Sequence, residues 1–199
     1  MIDAIAAALS VGPALVLTGA GMSTDSGIPD YRGPDGTRRV TPMHYGEFVG
    51  SSQARQRYWA RSYVGWRRFH AARPNAAHHL VTRLQDLGAV GPVITQNVDG
   101  LHQAAGTRDV VELHGSLVEV VCLTCEARED RRTLDARMAR DNPGFDVDSD
   151  EIRPDGDVRL ESVDVERFVA PRCLVCGDDT LKPDVVFFGG SVAKPLVQH

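Results

Sequence analysis

The four cysteines of this chain are spaced like the ligands of a metal ion. They form two pairs, each with two residues between its members: Cys122 and Cys125, then Cys173 and Cys176. Four thiolates in this pattern are typical of a closed, tetrahedral Zn²⁺ site with a structural role. Two local disulfides and an iron–sulfur cluster are the alternatives, and disulfides are rare in a cytoplasmic protein. The long gap between the pairs predicts an insertion, for which the acidic residues 141–166 are the candidate.

A second chemical feature is the glycine-containing run at residues 19–33, which reads GAGMSTDSGIPDYRG. It follows an apolar segment, residues 14–18, that predicts a buried parallel strand. Gly19 and Gly21 would let backbone N–H groups approach a phosphate, and the N-terminus of a following helix would attract the anion. A dinucleotide fingerprint requires a further glycine where Thr24 stands, and its acidic residue is missing. The glycines alone therefore leave both nucleotide binding and an ordinary strand–turn–helix connection open. The reactive side chains of residues 30–32 favour a functional site over an ordinary connection.

Polar residues also follow two later predicted strands. Residues 95–102 read TQNVDGLH and leave a strand end, where α/β sheets bind ligands. His114 precedes a glycine at the next strand end, and its pKa near neutrality would suit a general base. A single histidine in such a position is more commonly structural. We give that ordinary interpretation to the other histidines discussed, His44, His70, His78, His79 and His102.

The elements that must position these residues alternate between strand and helix. A short helix is predicted over residues 1–10, and longer helices over residues 51–72 and 75–87. The predicted strands are residues 14–18, 93–95, 109–113 and 184–188. This alternation indicates a parallel α/β sheet with crossover helices. Five aromatic residues of the long helix lie mostly three or four positions apart and should be core: Tyr58, Trp59, Tyr63, Trp66 and Phe69.

Composition limits the class of protein. The chain has 199 residues, 42% of them hydrophobic and 25% charged, which suits a soluble globular protein with one core and a small satellite. No apolar run is long enough to span a membrane, and the N-terminus lacks the basic flank of a signal peptide, so we expect a cytoplasmic protein. The net charge of −5 gives no reason to expect direct binding of nucleic acid or of a membrane.

The charges are unevenly distributed. Residues 48–73 contain six arginines and no acidic residue, whereas residues 141–166 contain ten acidic residues and two arginines. Solvated faces are the usual explanation of such runs. An arginine-rich helix that attracts an acidic substrate or partner is the alternative, and the sequence leaves both open.

Together these motifs resemble the sirtuins, the NAD-dependent protein deacylases. Four signatures match in the family's order: residues 19–33, residues 95–102 followed by His114 and Gly115, the two cysteine pairs, and LKPDVVFFGG at residues 181–190. Residues 55–61 and 154–157 look most like class II. The resemblance implies a Rossmann-like NAD-binding domain, residues 1–116 and 182–199, and a zinc module with an acidic insertion, residues 117–181.

The resemblance also implies a role for each matching residue. The NAD diphosphate would be held by Gly19, Ala20 and Gly21. The mobile cofactor loop would contain Asp30, Tyr31 and Arg32. The ribose would contact Gln96 and Asn97, which would also order a water, and the nicotinamide pocket would contain Val98 and Asp99. The acyl-lysine backbone would pair with the segment formed by Val186, Phe187, Phe188 and Gly189.

The implied reaction consumes NAD. The carbonyl oxygen of an acyl-lysine attacks C1′ of the ribose as nicotinamide leaves, His114 then deprotonates a ribose hydroxyl, and water completes acyl transfer to ADP-ribose. Mono-ADP-ribosyl transfer at the same NAD site is an alternative. A non-catalytic, zinc-bearing interaction module is another alternative for this chain. A Rossmann dehydrogenase is disfavoured because Thr24 breaks the dinucleotide fingerprint.

Two features depart from the family pattern. Tyr58 and Arg61 superficially resemble a Tyr-x-x-Arg pair that recognises negatively charged acyl groups in some members of the family. They lie on the arginine-rich helix, which is the wrong place for that role, so we do not expect it. Family members also continue beyond the equivalent of His199, with a Gly-Ser-Ser loop and an Asn loop that hold the adenosine. We therefore expect a fragment of a longer product, with an exposed apolar sheet edge, poor solubility and weak NAD binding.

Overall fold

The structure is a computed structural model, and it describes residues 2–33, 35–38, 40–147, 149, 153–192 and 194–197. The described helices are α1 (Ile2–Leu9), α2 (Tyr45–Gly50), α3 (Ser52–Ala71), α4 (Ala76–Asp86), α5 (Leu101–Ala104), α6 (Arg131–Asp141), α7 (Ser162–Arg167) and α8 (Lys194–Val197). The strands are β1 (Ala14–Thr18), β2 (Val90–Thr95), β3 (Val110–Glu112), β4 (Gly115–Cys122), β5 (Arg128–Asp130) and β6 (Leu181–Val185). Met1, where the first predicted helix begins, and His199, where the predicted Rossmann-like domain ends, lie outside the described residues. Residues 148 and 150–152 of the acidic run also lie outside them.

The first sheet is parallel, as predicted, with the order β1-β2-β3. Thr18 of β1 is in register with Thr95 of β2, which is in register with Glu112 of β3. All three strands therefore end at one edge of the sheet, where the polar residues that follow them come together. This register explains why residues distant in sequence share a site.

The helix predicted after β1 differs from the expectation. It is a 3₁₀-helix of seven residues, Ala20–Ser26, ended by Gly27 in the left-handed region at φ 85°. Such a short helix offers no sustained helix dipole for a phosphate, so the anion-binding argument from the helix end does not apply. Asn75, the N-cap of α4, anchors this turn by donating from Nδ2 to the carbonyl of Met22 (2.8 Å) and to Ser26 Oγ (3.0 Å).

The fourth predicted strand was wrong in both position and partner. The strand is β6, and it pairs antiparallel with β4 in a second sheet of order β5-β4-β6. β4 begins at Gly115, whose φ is 78° and where a Cβ would collide with the backbone of Asp184. No helix connects β3 to β4, so β4 leaves the parallel sheet. The sequence prediction missed β4 altogether.

Most of the buried apolar residues lie between α3 and the second sheet. The five aromatic residues of α3 are buried, as predicted. The larger hydrophobic cluster among the described residues joins α3 to β4, β6, α6 and α7. Arg131 is also buried there, and its guanidinium lies over the rings of Trp59 (5.5 Å) and Trp66 (4.6 Å), which compensates part of its desolvation. Of the described helices, none has the length and apolar character that a membrane span requires.

Candidate functional site

A cavity of about 420 Å³ lies where the ends of β1 and β2 meet the segment that follows β6. Most of the predicted site residues line it: Ala20, Tyr31, Gln96, Asn97, Val98, Asp99, His114, Val186, Phe187, Phe188 and Gly189. Gly19, Gly21, Asp30 and Arg32 lie outside its wall. A Cβ at Gly21 would meet no protein atom within 4 Å, so the space beside that backbone is open. The fold thus brings three of the four sequence signatures to one cavity.

A buried serine organises the polar side of the cavity. Ser23 Oγ donates to Asp99 Oδ2 (2.6 Å) and accepts from Asn97 Nδ2 (3.1 Å). The backbone N–H of Leu101 donates to the other oxygen, Asp99 Oδ1 (2.9 Å). These bonds fix the Asn97 amide and the Asp99 carboxylate in one orientation. Ser23 was not predicted as a site residue, and its place two residues after Gly21 is the one signal for it in the sequence.

His114 has the hydrogen bond that a general base needs. It lies half-buried on the cavity wall, and its Nδ1 is 3.0 Å from the backbone carbonyl of Gln96. A carbonyl oxygen can only accept, so Nδ1 carries the proton in the neutral ring. Nε2 is then the basic atom, and its orientation is set by the same bond. The arrangement can therefore remove a proton from a group bound in the cavity.

The four cysteines converge at the opposite end of β4 from His114. Their sulfurs all lie within 4.8 Å of one another, with Sγ–Sγ distances of 3.6 Å for Cys122–Cys176 and for Cys125–Cys173. A tetrahedral zinc site with Zn–S bonds of about 2.3 Å requires sulfurs about 3.8 Å apart, whereas a disulfide requires about 2.05 Å. The donor set fits Zn²⁺ and leaves it no open position, which indicates a structural metal.

Comparison with known proteins decides the family. The model of the Sir2 family matches residues 19–199. The chain belongs to the Sir2 family. This confirms the resemblance and, with the parallel sheet, the Rossmann-like α/β fold.

Relatives of this Sir2-family chain include NAD-dependent protein deacetylase 1 of Streptomyces coelicolor, 54% identical over 196 residues, which cover 98% of the chain and 65% of that protein. NAD-dependent protein deacylase Sirt4 of Drosophila melanogaster is 51% identical over 195 residues, which cover 96% of the chain and 62% of that protein. The chain thus spans a little under two thirds of each. A solved structure of Sir2 with a p53 peptide and NAD⁺ matches all of the chain and 69% of its own length, with 29% identity and a TM-score of 0.73.

In this Sir2-family chain the segment after β6 is held on both sides. Val186 N–H donates to the carbonyl of His114, and Tyr45 N–H donates to the carbonyl of Phe188, both at 2.8 Å. Any peptide that adds as a strand must therefore use the remaining backbone groups of this segment. The side chain of Phe187 is buried against Phe48 and Tyr58, and this packing fixes the position of the segment.

Lys182 supports the same segment from within β6. Its Nζ donates to the carbonyls of Val185 (2.6 Å) and Pro183 (2.8 Å) and lies 4.9 Å from the centre of the Phe187 ring. Burial lowers the pKa of Lys182 to about 8. The ammonium is satisfied by carbonyl groups, which explains how a lysine lies in this buried position.

Tyr58 lies both in the core, as predicted, and at the cavity. α3 carries this residue to the cavity wall, where it lies beside Phe187. Tyr31 lines the same cavity, and its ring meets Phe188 edge-on at 5.5 Å. Burial raises the pKa of both phenols, and the charges of Asp155 and Asp157 raise it further, so both hydroxyls are neutral. Arg61 does not line the cavity.

A buried chain of hydrogen bonds lies beneath Asn97. Thr18 Oγ1 donates to Thr95 Oγ1 (2.8 Å), which also accepts from the backbone N–H of Asn97 (3.1 Å). Thr18 Oγ1 accepts in turn from His102 Nε2 (3.0 Å), since its own proton is used. The rings of His102 and His78 meet edge-on at 5.0 Å, and both are almost fully buried. Burial lowers the pKa of both imidazoles.

Proposed function

We propose that this Sir2-family chain carries the catalytic cavity of an NAD-dependent protein-lysine deacylase. The acyl group of an acyl-lysine would pass to ADP-ribose, with release of nicotinamide. The observation that carries the proposal is the fixed tautomer of His114, which presents a basic Nε2 at a cavity that Asn97 and Asp99 also line. The names of the relatives agree with this reaction.

Each polar group has a defined task in this proposal. NAD, as the second substrate, supplies a ribose carbon from which nicotinamide can leave. His114 takes the proton of a ribose hydroxyl, which becomes the nucleophile toward the acyl carbon. Asn97, held by Ser23, orients the ribose hydroxyl groups and a water. Val98 and Asp99 form the nicotinamide side of the pocket, and Gly19, Ala20 and Gly21 face the diphosphate.

The proposal includes the remaining partners. Acyl-lysine peptides would lie along Val186 to Gly189, and the loop of Asp30, Tyr31 and Arg32 would cover NAD. The four cysteines would hold the structural Zn²⁺. We also propose a cytoplasmic location, similarity to class II, and the division into a Rossmann-like domain (1–116 and 182–199) and a zinc module (117–181).

The test is an assay of the full-length protein with acyl-lysine peptides and labelled NAD. We expect deacylated peptide, nicotinamide and O-acyl-ADP-ribose in equal amounts. His114→Ala should lower the formation of deacylated peptide by about 10² to 10⁴-fold, because the base is lost. His79→Ala, at an exposed position of α4, is the matched control and should leave the rate unchanged.

Three results would contradict the proposal. Label that stays on protein without deacylation would favour mono-ADP-ribosyl transfer, which uses the same NAD site. Deacylation that persists in His114→Ala would remove His114 from the mechanism. A protein that binds zinc but neither NAD nor acyl-lysine would fit the non-catalytic module.

A further inference from the structure

The ladder between β4 and β6 is interrupted just before the segment that would pair with the peptide. Val120 is in register with Pro183, but the next pair is Gly115 with Val185, so β4 runs from 120 to 115 while β6 runs only from 183 to 185. Leu117 N–H, in this part of β4, donates to a carbonyl that follows β2 (3.2 Å). Regular pairing is therefore interrupted where β6 ends, and other contacts must fix the backbone there.

A buried lysine supplies such contacts. Lys182 is 7% exposed, and its Nζ donates to the carbonyls of Pro183 (2.8 Å) and Val185 (2.6 Å). The carboxylate of Asp184, two residues further along β6, accepts a hydrogen bond from Arg128 of β5 (2.5 Å). The Lys182 ammonium thus directs its donors to backbone carbonyl groups rather than to a carboxylate.

These contacts hold one peptide unit at both ends. It joins Val185 to Val186: its carbonyl accepts from Lys182, and its N–H donates to the carbonyl of His114 (2.8 Å). Because a peptide unit is planar, fixing both of its polar groups fixes its orientation. Val185 and Val186 line the cavity, whereas Lys182 lies outside its wall. Lys182 therefore acts on the cavity through the backbone and not by touching a ligand.

We propose that Lys182 is a positioning residue for the acyl-lysine peptide. It holds the peptide unit between Val185 and Val186 in the orientation in which residues 186–189 can pair with an added strand. This inference rests on the proposed function. Without the ammonium, the segment would have to become ordered when the peptide binds, and that cost lowers the affinity for the peptide. NAD should bind as before, because its polar contacts would be with residues that follow β1 and β2.

The test measures the affinities for peptide and for NAD separately on the full-length protein. Fluorescence anisotropy gives the Kd of a fluorescein-labelled acetyl-lysine peptide without NAD, and calorimetry gives the Kd of NAD without peptide. Lys182→Met removes the donors and keeps a side chain of similar length. It should raise the peptide Kd by about tenfold and leave the NAD Kd within about twofold of the wild type. Lys182→Arg keeps charged donors and should recover most of the peptide affinity.

Hydrogen exchange tests the contact itself. Val186 N–H should exchange faster in Lys182→Met, because its peptide unit is then held at one end only, whereas the amides paired between β4 and β5 should not change. Lys194→Met, at an exposed position of α8, changes the other lysine of the chain and is the control. It should leave both affinities and the exchange unchanged. If Lys182→Met does not fold, Lys182→Gln, which keeps a neutral donor, takes its place with the same expected direction.

A peptide Kd in Lys182→Met within about twofold of the wild type would overturn the inference. So would an equal loss of affinity for peptide and for NAD, which would indicate a general loss of structure. Failure of the proposed function gives a different result: the wild type then binds the peptide but releases no nicotinamide when NAD is added, and the role of Lys182 in peptide binding stands. A wild type that binds no peptide contradicts both.

Discussion

The two sheets of this chain are stabilised in different ways. The antiparallel sheet packs against α3, α6 and α7 and buries Val120, Leu134 and Leu181 almost completely. The parallel sheet has Leu15 and Leu17 of β1 65% and 64% exposed. Two of its strands end at Thr18 and Thr95, which are hydrogen-bonded to each other, and Thr18 is also bonded to His102 of α5. Apolar burial is therefore concentrated around the antiparallel sheet, which we call the antiparallel half. The polar side chains of the cavity are concentrated at the strand ends of the parallel sheet, which we call the parallel half.

This difference shows where each half is sensitive to change. A fully buried aliphatic side chain contributes about 1.5–3 kcal/mol, whereas a hydrogen bond contributes about 1 kcal/mol net. The antiparallel half should lose stability when an apolar group or the metal is removed. The parallel half should lose the geometry of its site, and smaller amounts of stability, when a polar contact is removed.

The largest effect should come from removing a cysteine ligand. Cys122→Ser leaves three thiolates around the metal at the end of β4, and the lost ligand should destabilise the chain by at least about 4 kcal/mol. Metal content by mass spectrometry and thermal unfolding by circular dichroism measure both effects. Leu174→Ser, at an exposed position between Cys173 and Cys176, should leave both unchanged. Full stability without bound metal would show that packing alone holds this half.

A matched pair of leucine substitutions should separate the two sheets directly. Leu181→Ala in β6 removes a side chain that is 2% exposed and should cost about 2–5 kcal/mol. Leu17→Ala in β1 removes one that is largely exposed and should cost less than about 0.5 kcal/mol. Urea unfolding of the two variants gives the comparison. Equal costs would mean that the outer face of β1 is covered in solution.

The sequence predicted the features that depend on local spacing. The cysteine pairs, the buried aromatic face of α3 and the position of α4 are each determined within a few residues, and the structure has them as expected. The parallel strands were found from their apolar runs. Sequence motifs also indicated most of the cavity residues, because parallel strands end at one edge.

The features that the sequence did not predict depend on contacts between distant segments. β4 is defined by its register with β6, about sixty residues later in the chain. Tyr58 reaches the cavity because the packing of Phe187 against it fixes how α3 faces the segment after β6. Asp155 reaches it because Gly65 admits the backbone of Gly156. None of these contacts leaves a local signal in the spacing of residues.

Acid should weaken the parallel half through its buried histidines. Burial lowers the pKa of His78 and His102, so the folded state holds them neutral while the unfolded state binds protons below about pH 6.5. Stability should be constant above that pH with respect to these groups. Below it, each imidazole should reduce stability by up to about 1.4 kcal/mol per pH unit.

Urea unfolding at pH 7.5, 6.5 and 5.5 measures this dependence, and hydrogen exchange locates it. We expect β1 and β2 to lose protection first. The double variant His78→Gln and His102→Gln should be less stable at pH 7.5 but should have a flatter profile between pH 6.5 and 5.5. A profile as steep as that of the wild type would assign the acid sensitivity to other groups.

The smallest effects should come from the same change made at one helix cap in each half. Asp130 caps α6 by accepting from Thr133 N–H (3.0 Å), and Asp130→Ala should cost about 1 kcal/mol. Asn75→Ala should cost about 2 kcal/mol, because Asn75 caps α4 and also holds Met22 and Ser26.

Only Asn75→Ala should weaken NAD binding, measured by calorimetry, since it frees the 3₁₀-helix that carries Ser23. Asn75→Asp keeps the cap oxygen and loses the Nδ2 donor, so it should recover only the share of the cap, about 1 kcal/mol, and should not recover NAD affinity. If Asn75→Asp instead binds NAD as the wild type does, the anchor to Met22 and Ser26 does not position the site.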